Sequence, residues 1–202
     1  KFTREQLACF EEAVSLAKSM GLEDLICHAS ATSGAARFPD SHYDMVRIGL
    51  GLYGIYPSHD VAEKVELQLA LGLVSRIAHV AERKLGEPIG YGATYLVEEE
   101  QQRVGVVEIG YNDGVPWRLS NRGVVLIHGR RAKILGRVSM DSLMVDLSEH
   151  LDADVGSEVL IFGSHEGQTL RPEEVAEVAG TIPYELLVKV DSRRVQRLFV
   201  GE

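Results

Sequence analysis

Only two of the 202 residues are cysteine, Cys9 and Cys27, which is too few for a disulfide framework. No other thiol stands at metal-ligand spacing with either, so both are expected to be reduced and no metal site is expected. No apolar run approaches the roughly 20 residues that a membrane-spanning helix needs. The opening KFTREQLACFEEAV reads as an amphipathic helix rather than a signal sequence, which points to a cytoplasmic protein. Positive charge is in deficit: 21 Lys and Arg against 30 Asp and Glu leave a formal charge of −9. That balance works against a sequence-independent grip on nucleic acid or anionic membrane and favours small-molecule chemistry. Internal repeats, low-complexity segments and Pro- or Ser-rich linkers are missing too. The chain has no initial Met and enters a helix with no lead-in strand or loop, as expected of a fragment.

What is present is ordinary core material, with 45% hydrophobic residues and a length that fits one or two domains. Leu7, Phe10, Val14 and Ala17 recur at spacings of three and four, which predicts a helix over 3–20, capped by Thr3 and ended by Gly21. After it, LEDLICHAS reads as a short buried strand, ATSGAA as a small-residue loop and VRIGLGLYGIYP as another apolar run. Helices alternating with short buried strands fit the final units of a βα barrel, incomplete here. From about residue 66 the pattern becomes strands punctuated by Gly, in LALGLVSRIAHVAERKLG, QRVGVVEIGYNDG, VVLIHGRRAKILGRVSM, LMVDL and SEVLIFG. RPEEVAEVAG predicts one more helix, with Pro172 in its first turn and Gly180 at its end, and RRVQRLFV a closing strand. The expected architecture is α/β plus all-β. Residues 1–62 form the last part of a TIM-type barrel, and residues 63–202 form a mainly antiparallel β-domain.

Several segments can carry chemistry, and each also has a structural reading. The loop from His28 through Thr32 to Gly34 would sit at the carboxyl end of a barrel strand, where hydroxyls and free amides suit phosphate. It also reads as a tight connection with a satisfied core histidine. Arg47 interrupts an apolar strand, where an unpaired charge costs several kcal/mol, so it needs a partner. The glycines after it let the amides of Gly49 and Leu50 approach phosphate oxygens; the alternative is a packed strand with Arg47 paired to Asp44. In Gly90-Tyr91-Gly92 the flanking glycines let the chain turn sharply and present the ring. With an ordinary pKa of about 10, such a tyrosine acts as a base only beside a cation or strong donor, and it also reads as a plain turn residue. Asn112 to Gly114 are turn residues, while Tyr111 is open to either role. Met140 and Asp141 stand at a strand end, and Tyr184 follows the predicted helix, each with a packing alternative.

Taken in order, CHASATSGAARFP, YDMVRIGLGLYGIYPS, IGYGATY, IGYNDG, GRVSMDSLMVDL and TIPYE resemble the C-terminal half of the alanine racemases. Six separated motifs in register span nearly the whole chain, whereas each alone is a weak signal. The resemblance implies a pyridoxal-phosphate-dependent enzyme that interconverts L- and D-alanine, for peptidoglycan, by a two-base mechanism on a cofactor aldimine. It implies that Tyr91 is one base, that Arg47 donates to the pyridine nitrogen, and that His28 holds Arg47. Thr32, the Gly49 and Leu50 amides and Tyr184 would bind phosphate, with Tyr111, Met140 and Asp141 on the substrate side. A head-to-tail homodimer is also implied, each β-domain completing the partner's site.

Two departures stand out: Ala31-Thr32 replaces the Asn-Ser of many members, and Ser139 replaces a frequent Cys. The family's Lys-Ala-Asp-Ala-Tyr-Gly pattern, with its cofactor lysine, does not occur, so the isolated chain is expected to be inactive. A serine or broad-specificity racemase, a non-catalytic dimerisation module and a decarboxylase on the same architecture are the competing readings.

Overall fold

The opening amphipathic segment folds as helix α1, Phe2–Ser19, in a computed structural model that describes residues 1–165, 167–190 and 193–200. Its apolar positions have little to cover, for no residue of α1 is buried. Thr3 lies inside the helix, which starts one residue earlier without a side-chain cap, while Gly21 follows the last turn in the left-handed region (φ 89°). The chain divides into two compact units, Lys1–Leu69 and Ala70–Glu202.

In the first unit the expected strands do not form among the described residues. LEDLICHAS and VRIGLGLYGIYP instead run beside each other for a few residues, joined by Asp44 N to Cys27 O (3.0 Å), Arg47 N to Ser30 O (2.9 Å) and one parallel bridge between Ala31 and Arg47. A strand needs a ladder of partners along its length, and these bonds are too few to make one. ATSGAA is not a loop but the start of a short helix α2, Thr32–Arg37, and the glycine-rich run closes into a 3₁₀ turn at Leu50–Tyr53. Gly54 ends that turn at φ 71°, where a Cβ would lie 1.8 Å from the carbonyl oxygen of Gln68, so only glycine fits. A last short helix, α3, covers His59–Ala62. The final units of a TIM-type barrel are therefore not displayed by this unit.

The second unit is built from alternating, gly-punctuated strands as its sequence pattern requires. These are β1 (Leu73–Lys84), β2 (Pro88–Ile89), β3 (Tyr95–Leu96), β4 (Gln101–Val107), β5 (Val124–Ile127), β6 (Arg130–Leu135), β7 (Leu143–Asp146), β8 (Glu158–His165) and β9 (Gln168–Leu170). The main sheet has the order β1-β4-β7-β6-β5-β8-β9, and every ladder is antiparallel. The long β1 pairs with β8 through residues 73–76 and with β4 through residues 77–84, with a bulge between Ile77 and His79. Six strands thereby close into a ring, which removes exposed edges.

Inside the ring lie Ile77, Val107, Val125, Ile127, Leu143, Val145 and Phe162, each at most 1% exposed. Helix α4, Pro172–Ala179, adds Val175, Ala176 and Ala179 to this core, and Gly180 (φ 64°) ends it as the sequence predicts. Arg131 on β6 grips Glu174 on α4 with two hydrogen bonds, the longer from Nη2 to Oε2 at 2.9 Å, and this holds the Glu174 carboxyl below its ordinary pKa. TIPYE begins a further helix, α5 (Pro183–Lys189), which buries Leu186. RRVQRLFV forms no strand; Leu198, Phe199 and Val200 stand exposed.

Candidate active site

In the first unit the parallel bridge brings Arg47 against the His28 loop. Nη1 of Arg47 is within hydrogen-bonding reach of Nδ1 of His28 and donates to its carbonyl at 3.3 Å, while Nη2 donates to the carbonyl of Ala29 at 3.4 Å. Arg47 is exposed rather than buried in a strand, so its positive charge is not stranded in a core. Asp44, the alternative partner, is engaged elsewhere: its Oδ2 accepts from the amide of Cys27 at 2.8 Å.

Thr32 is buried beside this pair and its Oγ1 accepts from the amides of Gly49 (3.3 Å) and Gly51 (3.5 Å). The Gly49 amide, read as a bare phosphate donor, thus points at Thr32. Leu50 is buried at the start of the 3₁₀ turn. A hydroxyl that accepts from two amides still has its own hydrogen to donate. Donor groups without a carboxylate among them, namely an arginine, a histidine and a threonine hydroxyl, suit an anionic phosphate and a basic ring nitrogen.

In the second unit, β2 and β3 pair as a two-stranded hairpin whose tip is a 3₁₀ turn, Tyr91–Ala93. Gly90 and Gly92 take φ 70° and 73°, and the turn leaves Tyr91 73% exposed. The hairpin lies against the segment that follows β6. A Cβ on Gly136 would meet the carbonyl oxygen of Ile89 at 2.4 Å, and one on Gly90 would meet the amide nitrogen of Arg137 at 3.2 Å. Backbone thus approaches backbone directly, which puts Gly90, Tyr91, Ser139, Met140, Asp141, Ser142 and Met144 around one open depression.

Tyr111 opens a 3₁₀ turn whose amides clamp the same segment: Tyr111 N donates to Ser139 O and Asn112 N to Met140 O, both at 3.0 Å. Asp113 is buried beneath, where its Oδ2 accepts from Gly110 N at 2.9 Å and its Oδ1 from Nε of Arg194 at 2.6 Å. The other end of the Arg194 guanidinium reaches Oδ1 of Asp141 at 2.7 Å. The Asp141 carboxylate therefore faces a cation of its own chain. Tyr184 is exposed near the start of α5.

Three residues that bear on this geometry carry no sequence signal strong enough to single them out. Arg194 lies far along the chain from Asp113 and Asp141. Asn121, in the left-handed region at φ 58°, donates from Nδ2 to the carbonyl (3.3 Å) and hydroxyl (3.1 Å) of Thr94 and accepts the Gly136 amide on Oδ1 (2.6 Å). Gln102, buried on β4, accepts from the Tyr95 hydroxyl (3.1 Å) and donates to Oδ2 of Asp146 (3.0 Å). An Asn-Arg-Gly turn signature marks Asn121 as a turn residue, but not what it holds.

Comparison with known proteins follows the same division. The family model described as alanine racemase, N-terminal domain, matches residues 1–57, and that described as alanine racemase, C-terminal domain, matches residues 70–199. An alanine racemase of Symbiobacterium thermophilum is 39% identical over 201 residues, covering 100% of this chain and 53% of that protein. Alanine racemase 2 of Bacillus subtilis is 41% identical over 99% of this chain and 51% of its own. Among solved structures, the alanine racemase of Streptomyces lavendulae superposes with a TM-score of 0.91 at 33% identity, covering 99% of this chain and 52% of that one. That of Bacillus anthracis with bound L-Ala-P gives a TM-score of 0.87 at 32% identity, covering 95% and 49%. The chain spans about half the length of the curated relatives it matches. No helix among the described residues is long and apolar enough to cross a membrane.

Proposed function

Since the chain belongs to the alanine racemase family, we propose that it is the C-terminal part of a cytoplasmic enzyme that interconverts L- and D-alanine by two bases and supplies D-alanine for the cell wall. The observation that carries this reading is Tyr91, presented by a glycine turn at the rim of a depression that it shares with Met140 and Asp141.

Pyridoxal phosphate, when bound, supplies an electron sink for the pair left on Cα when its proton is removed. The remaining chemistry belongs to the protein. Arg47, oriented by His28 and by two carbonyls, would donate to the ring nitrogen. A guanidinium does not give up its proton, so Arg47 would hold that nitrogen by hydrogen bonding without protonating it. Thr32, tied by the Gly49 and Gly51 amides, keeps its hydroxyl hydrogen for a phosphate oxygen, and the Leu50 amide at the 3₁₀ start is a further donor. The family resemblance assigns the Tyr184 hydroxyl a role in phosphate binding.

Tyr91 moves the proton on one face of Cα, and the lysine of the N-terminal half serves the other. Tyr111, Met140 and Asp141 line the substrate side, and Asp141 also ties the connection between β6 and β7 to Arg194. In this reading the protein is a head-to-tail homodimer, in which Tyr91 and Met140 serve a cofactor bound by the partner. The test is product analysis with the complete protein, supplied with pyridoxal phosphate and either enantiomer of alanine. Racemisation of alanine well ahead of serine supports the reading. Preference for serine moves it to a broader racemase, and release of carbon dioxide moves it to a decarboxylase.

One further reading is an assembly module that dimerises without catalysis, for which the closed strand ring with its own core supplies an independent fold. Light scattering on residues 70–202 addresses it, since a strict monomer argues against such a module.

A further inference from the structure

We propose that Asn121 is a positioning residue for Tyr91, because its one side-chain amide ties the tyrosine's hairpin to the β6–β7 connection that carries Met140. The inference rests on the reading of Tyr91 as a proton-transfer group. A base on a turn has a geometric problem: its ring must be held to within a fraction of an ångström of the substrate's Cα, while the turn itself contributes little packing of its own. Tyr91 is 73% exposed, and the hairpin bearing it has only two residues in each strand. Two-stranded hairpins of that size are marginal by themselves, so the turn needs an external anchor.

Besides the apolar packing of Ile89 and Val97 on Val104 and Leu135, the structure supplies two polar anchors. On the inner side the Tyr95 hydroxyl reaches buried Gln102 and, through it, Asp146 on β7, which fastens the strand after the turn to the ring. On the outer side Asn121 reaches the tip. Its Nδ2 donates to both oxygens of Thr94, three residues after Tyr91, and its Oδ1 accepts from the amide of Gly136. The Asn121 amide N–H also donates to the Gly136 carbonyl at 3.1 Å, so backbone and side chain grip the same glycine.

Gly136 is where backbone meets backbone between hairpin and substrate segment. Two residues on, Val138 N donates to Ser120 Oγ at 3.0 Å, so Asn121 and its neighbour fix the segment leading to Met140. An asparagine meets both demands of the position, because it tolerates φ 58° and offers a donor and an acceptor at once. Aspartate keeps the Gly136 bond but cannot donate to Thr94. Glycine keeps the backbone conformation and loses all three side-chain bonds.

The experiment uses the complete protein with pyridoxal phosphate and compares Asn121→Asp, Asn121→Gly, Thr94→Val and Thr94→Ser. Hydrogen exchange is followed by mass spectrometry on peptides covering 87–97 and, as reference, 101–107. Expected is about tenfold faster exchange in 87–97 for Asn121→Asp, Asn121→Gly and Thr94→Val, with 101–107 unchanged and Thr94→Ser near wild type. For kinetics, kcat/KM falls on the order of tenfold to a hundredfold in the same three variants. It falls equally in both directions, because the enantiomers have equal free energy. What distinguishes positioning from general loosening is the α-deuterium isotope effect, which rises for the enantiomer that Tyr91 deprotonates and not for the other.

Unchanged exchange in both Asn121 variants overturns the proposal, as does an isotope effect that rises alike for both enantiomers. If the wild-type protein does not racemise alanine, the functional reading fails, and the exchange comparison alone still decides whether Asn121 holds the hairpin.

Discussion

The two halves of this chain solve the folding problem to different degrees. Residues 70–202 close six antiparallel strands into a ring around Ile77, Val107, Leu143 and Phe162, and fasten two helices to it. Among the described residues of 1–69, the buried hydrophobic side chains are Leu50, Ile55 and Val61, and α1 buries none while Phe2, Leu16 and Met20 stand more than 60% exposed. An antiparallel ring is its own neighbour and covers its own core, whereas the helices and turns of residues 1–69 leave most of their apolar side chains uncovered. One half therefore carries a closed core, and the other carries little core yet still shapes its Arg47–His28 corner.

The largest effect that would break this comparison is catalysis by the isolated chain. The chain alone is expected to turn over no alanine, since none of Lys1, Lys18, Lys64, Lys84, Lys133 and Lys189 lies in the cofactor-lysine pattern. Chiral chromatography after incubation with L-alanine and pyridoxal phosphate checks it, and any D-alanine above the buffer blank means that the division of labour is wrong.

A paired substitution sharpens the contrast in stability. Leu143→Ala opens a cavity in the ring and should cost about 2–5 kcal/mol of denaturant-measured stability. The same change at Leu16, on a helix with no buried residue, should cost about 0.5 kcal/mol or less. Equal losses would show that α1 has a core to lose.

The smallest effect concerns pH. Because Arg131 lowers the Glu174 pKa, the pair stabilises the fold above the unfolded carboxyl value, and that contribution disappears as pH falls through the lower, folded value. Both partners are partly exposed, so the gain is about 0.5 kcal/mol. Glu174→Gln should lower the melting temperature slightly at pH 7, and the difference should vanish once the pH lies below the lowered, folded carboxyl value; a difference that persists in stronger acid would point to packing instead.

The same contrast explains what the sequence makes legible. Strand-forming runs such as VVLI and SEVLIFG appear where alternation and glycine punctuation mark them, because their partners lie within the chain. LEDLICHAS has the composition of a buried strand but runs against only one short segment, so composition promises a ladder that the structure does not build. RRVQRLFV fails in the same way at the other end. Tyr91, Met140 and Tyr111 are visible as motifs, whereas Asn121 and Arg194 act through contacts across 27 and 81 residues, which no local pattern encodes. Arg47 is visible as an anomaly, but for a mistaken reason: it is exposed and held by carbonyls, not buried in a strand.

The central claim, that Tyr91 is the proton-transfer group on one face of the substrate, is tested most directly by solvent exchange. The complete protein and its Tyr91→Phe variant are incubated in D2O with each alanine enantiomer, and loss of the α-hydrogen is followed by proton NMR. The account predicts washout from both enantiomers in the wild type and, in the variant, a loss of about 10²-fold or more for one enantiomer while the other still exchanges. Undiminished washout from both in Tyr91→Phe would contradict it.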